Sequence, residues 1–545
     1  MGKAKTLSFV LELPLRVAQE VQKALLARLE AGRQLYNACL GEARRRWDLV
    51  RQSRAYRDAL QMPRRTEEER TARAKAISES WRAHGFSDYD LQMYALEIRH
   101  GWIEAHLDAF TAQKLATRAW GAQKRVALGQ ARRVRFKGKN QMDTLEGKSN
   151  STGIRWRDGA VEWMGLVLPA IIDGQDPVVV HGFSCPVKYV RLVRRKVNGQ
   201  DRFWAQLVLE GEPYRKLNAD GSPKHPLGTG TVGLDAGPST IAAVGAEDAL
   251  LEPFCRELQP KQREIRRLQR HLDRQRRANN PQNYNPNGTI KKGPKTWKVS
   301  HGMEGTQTRL ADLHRRLAAH RRPLHGNLCN RVLALGDVFL HEDVSIQGWQ
   351  RRFGRSVGFR APGRFFRELD RKAESAGGTA IAFPTRTTAL SQVCHCGYRE
   401  KKPLSQRWHR CPACGAVAQR DLYSAYLARF VEPVALEESN MEYRLNAGRA
   451  EQAWPGGDDL LRAAFERLQA ETNGRVVGAS APISLGLKEA RLLGFGSEPV
   501  AAKAGATVGN CGSRLAEGLD VVQGPWGQES QAKAGAGSSG RTPRR

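Results

Sequence analysis

The chain has 545 residues, 88 of them Lys or Arg against 56 Asp or Glu, for a net charge of +32. A surface this basic repels itself and requires a polyanion, for which nucleic acid is the simplest choice. No uninterrupted apolar run approaches the ~20 residues needed to span a bilayer, Glu12 interrupts the one early apolar segment where a signal peptide would lie, and the odd, dispersed cysteines outside one cluster fit a reducing cytoplasm rather than a disulfide framework.

Thr6 to Leu15 alternates apolar and polar residues and reads as a strand. From Arg16 to about Arg125 the pattern is helical, with Leu25, Leu26, Leu29, Leu35, Tyr36 and Leu40 on one face, and further helical stretches at Ala72 to Trp81 and Leu91 to Trp120. Period two returns near Arg132 to Lys137 and again at Gly153 to Arg157, Ala160 to Trp163, Val187 to Arg194 and Phe203 to Leu209. These segments predict an antiparallel β-domain, a barrel completed by the N-terminal strand. Gly228 to Gly233 matches G-x-G-x-x-G but precedes a strand, which a dinucleotide fingerprint does not. Arg256 to Arg277 is a strongly basic helix, Ala278 to Gly302 an Asn- and Gly-rich loop, and Thr308 to Leu335 a second basic helix. Gly348 to Gly363, rich in Arg and Gly, reads as a mobile basic loop. A helix at Arg364 to Ser375 and a strand at Thr379 to Phe383 follow, Asp459 to Ala470 reads as an amphipathic helix, and the Gly-, Ala- and Ser-rich chain beyond Asn473 reads as disordered.

Two constellations carry chemistry. Cys394 and Cys396, then Cys411 and Cys414, form two close pairs across a short basic spacer, an arrangement suited to structural, tetrahedral zinc. Cys411-Pro-Ala-Cys414-Gly is a well-formed knuckle; Cys394-His395-Cys396-Gly has one residue between its cysteines, so His395 or His409 could substitute for one thiolate. The second constellation is acidic. Asp235 follows the apolar Thr231 to Leu234, Glu342 ends the apolar Val338 to His341, and Asp421 opens an amphipathic run through Phe430. Taken alone, Asp421 reads as a helix N-cap. A carboxylate on a buried strand is costly unless paired or holding a cation, and three of them at a strand, a strand and a helix start would make a two-magnesium site.

The G-L-D-A-G strand, the L-H-E-D strand, the S-Q-V-C ribbon ending in C-P-A-C-G and the R-D-L-Y-S-A helix, in that order, resemble the TnpB family of transposon-encoded, RNA-guided DNA nucleases, relatives of the compact type V CRISPR nucleases. The match is specific from about Thr231 to Phe430. Two positions depart from the pattern: Gln419 stands where an acid is usual, and Tyr423 where asparagine is usual. The resemblance implies an α/β multidomain chain with a ribonuclease H-like (RuvC-like) nuclease core and an inserted zinc ribbon, preceded by a β-barrel wedge domain carrying a helical recognition insertion. On that layout residues 1–15 are the first barrel strand, 16–125 the recognition helices, 126–227 the barrel, 228–386 the nuclease core, 387–420 the ribbon, 421–432 the last core helix, 433–472 a helical extension and 473–545 a disordered tail. It also implies Asp235, Glu342 and Asp421 as catalytic ligands of two Mg2+ ions, Cys394, Cys396, Cys411 and Cys414 as zinc ligands, and a guide RNA and target DNA as partners. The expected form is a monomeric ribonucleoprotein in a prokaryotic cytoplasm, on the nucleoid when bound to DNA, that cuts beside a short target-adjacent motif. Alternatives are a guided DNA-binding repressor that does not cleave, a CRISPR-associated type V effector and a zinc-ribbon transposase.

Overall fold

The structure, a computed structural model, describes residues 7–473 apart from 404 and 438–439. The expected disordered tail lies outside the described residues, as does Thr6 at the start of the expected first strand. Contacts divide the chain into two compact units, one ending at Tyr214 and the next beginning at Arg215.

The first unit opens with β1 (Ser8–Pro14), whose alternation buries Leu11 and Leu13. Five helices follow: α1 (Gln19–Gln52), α2 (Arg54–Gln61), α3 (Glu67–Ala83), α4 (Asp88–Arg99) and α5 (Ala109–Ala127). The stripe read from Leu25 to Leu40 is the buried side of α1, and Trp47 near its end packs against Trp81 and Phe86. Ser53 and Thr66 start α2 and α3, their hydroxyls accepting from the amides of Tyr56 and Glu69. The stretch from Leu91 to Trp120 is two helices, parted by a turn at Gly101.

The strands of this unit are β2 (Thr144–Glu146), β3 (Arg155–Arg157), β4 (Ala160–Trp163), β5 (Leu166–Pro169), β6 (Val187–Val197) and β7 (Gln200–Glu210), with α6 (Pro177–Phe183) before β6. As expected, the N-terminal strand joins them, pairing antiparallel with β7 from Ser8↔Glu210 to Pro14↔Trp204. The predicted barrel, however, is two sheets: β1-β7-β6-β2 and a local meander β3-β4-β5, linked by one bridge between Leu15 and Ala170. Tight turns with positive φ at Asp158 and Met164 close the meander on itself, so its strands pair with one another. Arg28 of α1 holds it, donating to Trp163 O at 2.7 Å with its guanidinium 4.7 Å from the Trp163 ring centroid. Arg132 to Lys137 forms no strand; the Lys137 backbone pairs instead with the Asn37 side chain, at 2.8 and 2.9 Å.

The second unit is built on a five-stranded sheet of β8 (Thr231–Ala236), β9 (Thr240–Val244), β10 (Ala249–Pro253), β11 (Val338–Glu342) and β12 (Thr379–Phe383), in the order β10-β9-β8-β11-β12. β8, β9 and β10 are antiparallel neighbours, whereas β11 runs parallel to both β8 and β12. Between β10 and β11 lies a basic hairpin of α7 (Gln259–Asn279) and α8 (His301–Leu333). Its connecting loop is pinned by buried Asn280 and Asn283, whose side-chain amides bond the Lys298 and Thr296 carbonyls at 2.9 and 2.8 Å. α9 (Ile346–Arg360) and α10 (Pro362–Ala376) precede β12. The mobile loop expected at Gly348 to Gly363 is therefore mostly helix: Ser345 caps α9, and Val357 and Phe359 are buried on its inner side.

After β12 come α11 (Thr385–Thr388), the hairpin β13 (Trp408–Arg410) and β14 (Val417–Gln419), and α12 (Arg420–Ala428). A hairpin that the sequence pattern does not announce, β15 (Val431–Glu437) and β16 (Asn440–Leu445), leads to α13 (Ala447–Gln452) and α14 (Trp454–Asn473). Helix α12 lies directly on β8. A Cβ built on Gly233 would overlap Ala425 O and come 2.6 Å from Arg429 N, so only a glycine lets this helix approach the strand. Among the described residues, no helix is long and apolar enough to cross a membrane.

Candidate functional site

Side chains two apart on a strand share a face. Asp235 therefore points to the side on which Gly233 meets α12. β11 pairs with β8 up to His341↔Leu234, and one further step along that register sets Glu342 beside Asp235. Asp421 sits in the first turn of α12. The N-cap role falls to Gln419 instead, whose Oε1 accepts from the Leu422 amide at 2.9 Å and leaves the Asp421 carboxylate free for other partners. Those partners are Arg407, which forms an ion pair with Asp421 Oδ2, and Thr240 of β9, whose hydroxyl donates to the same oxygen at 3.4 Å.

The three carboxylates are half-buried and electrostatically uncomfortable. Burial and the neighbouring carboxylates of Asp421 and Glu342 push Asp235 well above the usual carboxylate range, against the pull of Arg407 and Arg420. Asp421 is raised by burial, although Arg407 and Arg420 resist this. Burial raises Glu342 to about 7, partly offset by a hydrogen bond from the Leu390 backbone. Repulsion of this kind is relieved by a cation, and a hard divalent ion is the natural guest of an all-carboxylate donor set. The guanidinium of Arg407 neutralises part of this charge at Asp421.

The four cysteines converge. All four sulfurs lie within 4.8 Å of one another, with Cys394 to Cys414 at 3.6 Å and Cys396 to Cys411 at 3.5 Å. Tetrahedral zinc with ~2.3 Å bonds requires sulfurs about 3.8 Å apart, so the cluster fits that ion. Each half is a tight turn: the Gly397 amide bonds Cys394 O and the Gly415 amide bonds Cys411 O, both at 3.0 Å, with positive φ at both glycines. Burial disfavours the Cys411 thiolate, but the Cys414 and Ala413 amides together with the Cys396 and Cys394 side chains outweigh this and bring it to about 7. The single-residue spacing of Cys394 and Cys396 thus still delivers both sulfurs. Neither His395 nor His409 belongs to the group of converging donors. His395 Nδ1 lies 3.0 Å from the Tyr423 hydroxyl, and His409 stacks on the Tyr423 ring with centroids 4.0 Å apart.

Arg407, Thr240 and Gln419 were not singled out by the sequence as partners of the acidic group. Arg407 is one cation among several in the spacer between the cysteine pairs, and nothing in its local pattern marks it. Thr240 is signalled only by its place opposite the Asp235 turn.

Residues 363–427, from α10 through the cysteine ribbon to α12, match the domain family described as Cas12f1-like, TNB domain. No curated protein matches the chain. Among solved structures, a Cas12f1–sgRNA–target DNA complex is similar at 12% identity and a TM-score of 0.40, over 77% of this chain and 98% of that one. A CRISPR–Cas12f ternary complex is similar at 11% identity and a TM-score of 0.25, over 75% and 81%.

Proposed function

We propose that the chain is an RNA-guided DNA endonuclease of the compact type V/TnpB kind. The observation that carries this reading is the group of three half-buried carboxylates, from two adjacent parallel strands and the first turn of the helix packed on them, directly after a four-cysteine ribbon. The sheet order, three antiparallel strands followed by two parallel ones, supports a ribonuclease H-like (RuvC-like) core. The domain match at 363–427 supports the ribbon as its nucleic-acid-handling insertion.

On this reading Asp235, Glu342 and Asp421 would hold two Mg2+ ions. Bound there, the ions would supply activation of water and charge relief at the leaving oxygen of a phosphodiester. The chain's own part is to orient these carboxylates, while Arg407 and Arg420 partly offset the burial that disfavours the charged forms of Asp235 and Asp421. Gln419 caps the helix so that Asp421 is not consumed as a cap, and Thr240 and Arg407 hold one of its oxygens. Guide pairing would select the sequence, and the basic helices would grip phosphates. The Cas12f1-like match at 363–427 favours a second reading of the same activity, a CRISPR-associated type V effector rather than a transposon protein; the neighbouring genes distinguish the two.

The test is to co-express the protein with its native 3′ flanking DNA and present the purified complex with plasmids carrying a guide-matched target beside randomised flanks. Guide-dependent cleavage that requires Mg2+ and is lost in EDTA is expected. Tight guided binding without cleavage would indicate a repressor, and absence of copurifying RNA would indicate a transposase.

A further inference from the structure

Asp421 and Tyr423 are two residues apart on α12, so at about 100° per residue they point to nearly opposite sides of the helix. Asp421 faces the sheet. Tyr423, 1% exposed, enters the cysteine ribbon, where its hydroxyl lies 3.1 Å from Cys394 Sγ, 3.0 Å from the His395 amide nitrogen and 3.0 Å from His395 Nδ1. Its ring is held flat against His409, which Lys402 Nζ meets at 2.5 Å, and edge-on against Trp454 at 5.3 Å.

His395 also reaches the cluster through its other nitrogen, Nε2 lying 3.7 Å from Cys414 Sγ. The Tyr423 hydroxyl accepts from the His395 amide and sits against Cys394 Sγ and the His395 ring, all of which an ion held by the four cysteines would fix in place. With the cluster stripped, the two cysteine pairs are no longer tied together and the hydroxyl loses its fixed partner.

We propose that Tyr423 is a positioning residue that couples the ion held by the four cysteines to the placement of Asp421 on the opposite side of the same helix turn. Loading the ribbon draws the tyrosine hydroxyl to Cys394, seats the N-terminal turn of α12 and sets the Asp421 carboxylate against β8. Stripping the ribbon slackens the same turn. The ribbon is then part of the acidic site as well as a separate support. The second half of this inference rests on the carboxylate site proposed above; the first does not.

The test uses the full-length protein, loaded with zinc, and Tyr423→Phe, which keeps the ring and its stacking and removes only the hydroxyl. Tyr426→Phe is the control: its hydroxyl is on the same helix, is equally buried and donates to Ala450 O, away from the cluster. Zinc release to a chromogenic chelator is expected to be about tenfold faster in Tyr423→Phe, the size of effect seen when a partner of a metal ligand is removed, and unchanged in Tyr426→Phe. Mn2+ affinity, read by electron paramagnetic resonance with Asp235→Asn as the blank, is expected to weaken several-fold in Tyr423→Phe. It should weaken in the same way in wild-type protein stripped of zinc. Unchanged zinc release in Tyr423→Phe, or equal acceleration in Tyr426→Phe, overturns the contact. Faster zinc release with unchanged Mn2+ affinity overturns the coupling. Wild-type protein that binds no Mn2+ overturns the carboxylate site, and the coupling with it, while zinc release still decides the contact.

Discussion

Gly233→Ala tests the packing that sets the acidic group. The added methyl would occupy the space of Ala425 O and stand 2.6 Å from Arg429 N. Both are backbone atoms of α12 or its end, which cannot swing aside as a side chain does, so the helix must retreat from β8 by on the order of 1 Å. Overpacking of this kind costs roughly 1–3 kcal/mol, and because Asp421 rides on the same helix its carboxylate moves with it. A displacement of that size at a reacting group costs about a hundredfold in rate. Urea unfolding should show a lower midpoint with an unchanged slope, and guided cleavage at saturating Mg2+ should fall by about that factor. Gly354→Ala, on α9 with open space around its Cβ, should change neither. A Gly233→Ala protein as stable and as active as wild type would refute the idea that contact between α12 and β8 sets the site.

Four other outcomes are expected. Because Glu342 binds its proton up to about pH 7 when folded but only to about 4.3 when unfolded, metal-free protein should lose stability as pH rises through that window, and Glu342→Gln should flatten the profile; equal slopes in thermal melts would contradict this. Arg407→Gln removes the cation on Asp421, so Mn2+ affinity measured by calorimetry should rise several-fold, and a fall would show that Arg407 supports the ion instead of standing in for it. Elemental analysis should find one zinc per chain, and Cys411→Ser should lose it with a lowered melting temperature. Changing Lys291, Lys292, Lys295 and Lys298 in the α7–α8 loop to Gln should shallow the salt dependence of nucleic-acid binding by about one logarithmic unit per lost phosphate contact; an unchanged slope would place phosphates elsewhere.

What could be read from the sequence is what depends on near neighbours in the chain. Cys411-Pro-Ala-Cys414-Gly encodes its own turn, and β4, β11 and β12 begin where apolar alternation or runs begin. Asp235 and Glu342 stand out because a carboxylate at the end of an apolar strand has no cheap explanation. Long-range pairing was less visible: the two-sheet arrangement of β1 to β7 depends on which strands meet, and period-two patterning is the same in either case. Composition misled at Gly348 to Gly363, where arginines and glycines mask the buried Val357 and Phe359 that make α9 a packed helix. At Asp421 the sequence suggested a cap, but Gln419, two residues earlier, occupies that role. Tyr423 read as part of an amphipathic run and as a departure from the family pattern, but its contact was not legible, because its partner Cys394 lies 29 residues away.

The central claim is that Asp235, Glu342 and Asp421 together sustain DNA cleavage. Its most direct test is single-turnover cleavage of a guide-matched duplex by the purified ribonucleoprotein, wild type and Asp421→Asn side by side, with binding to the same duplex measured in parallel. The account predicts Mg2+-dependent cleavage by wild type and guided binding without cleavage by Asp421→Asn. Cleavage by Asp421→Asn at the wild-type rate would contradict it.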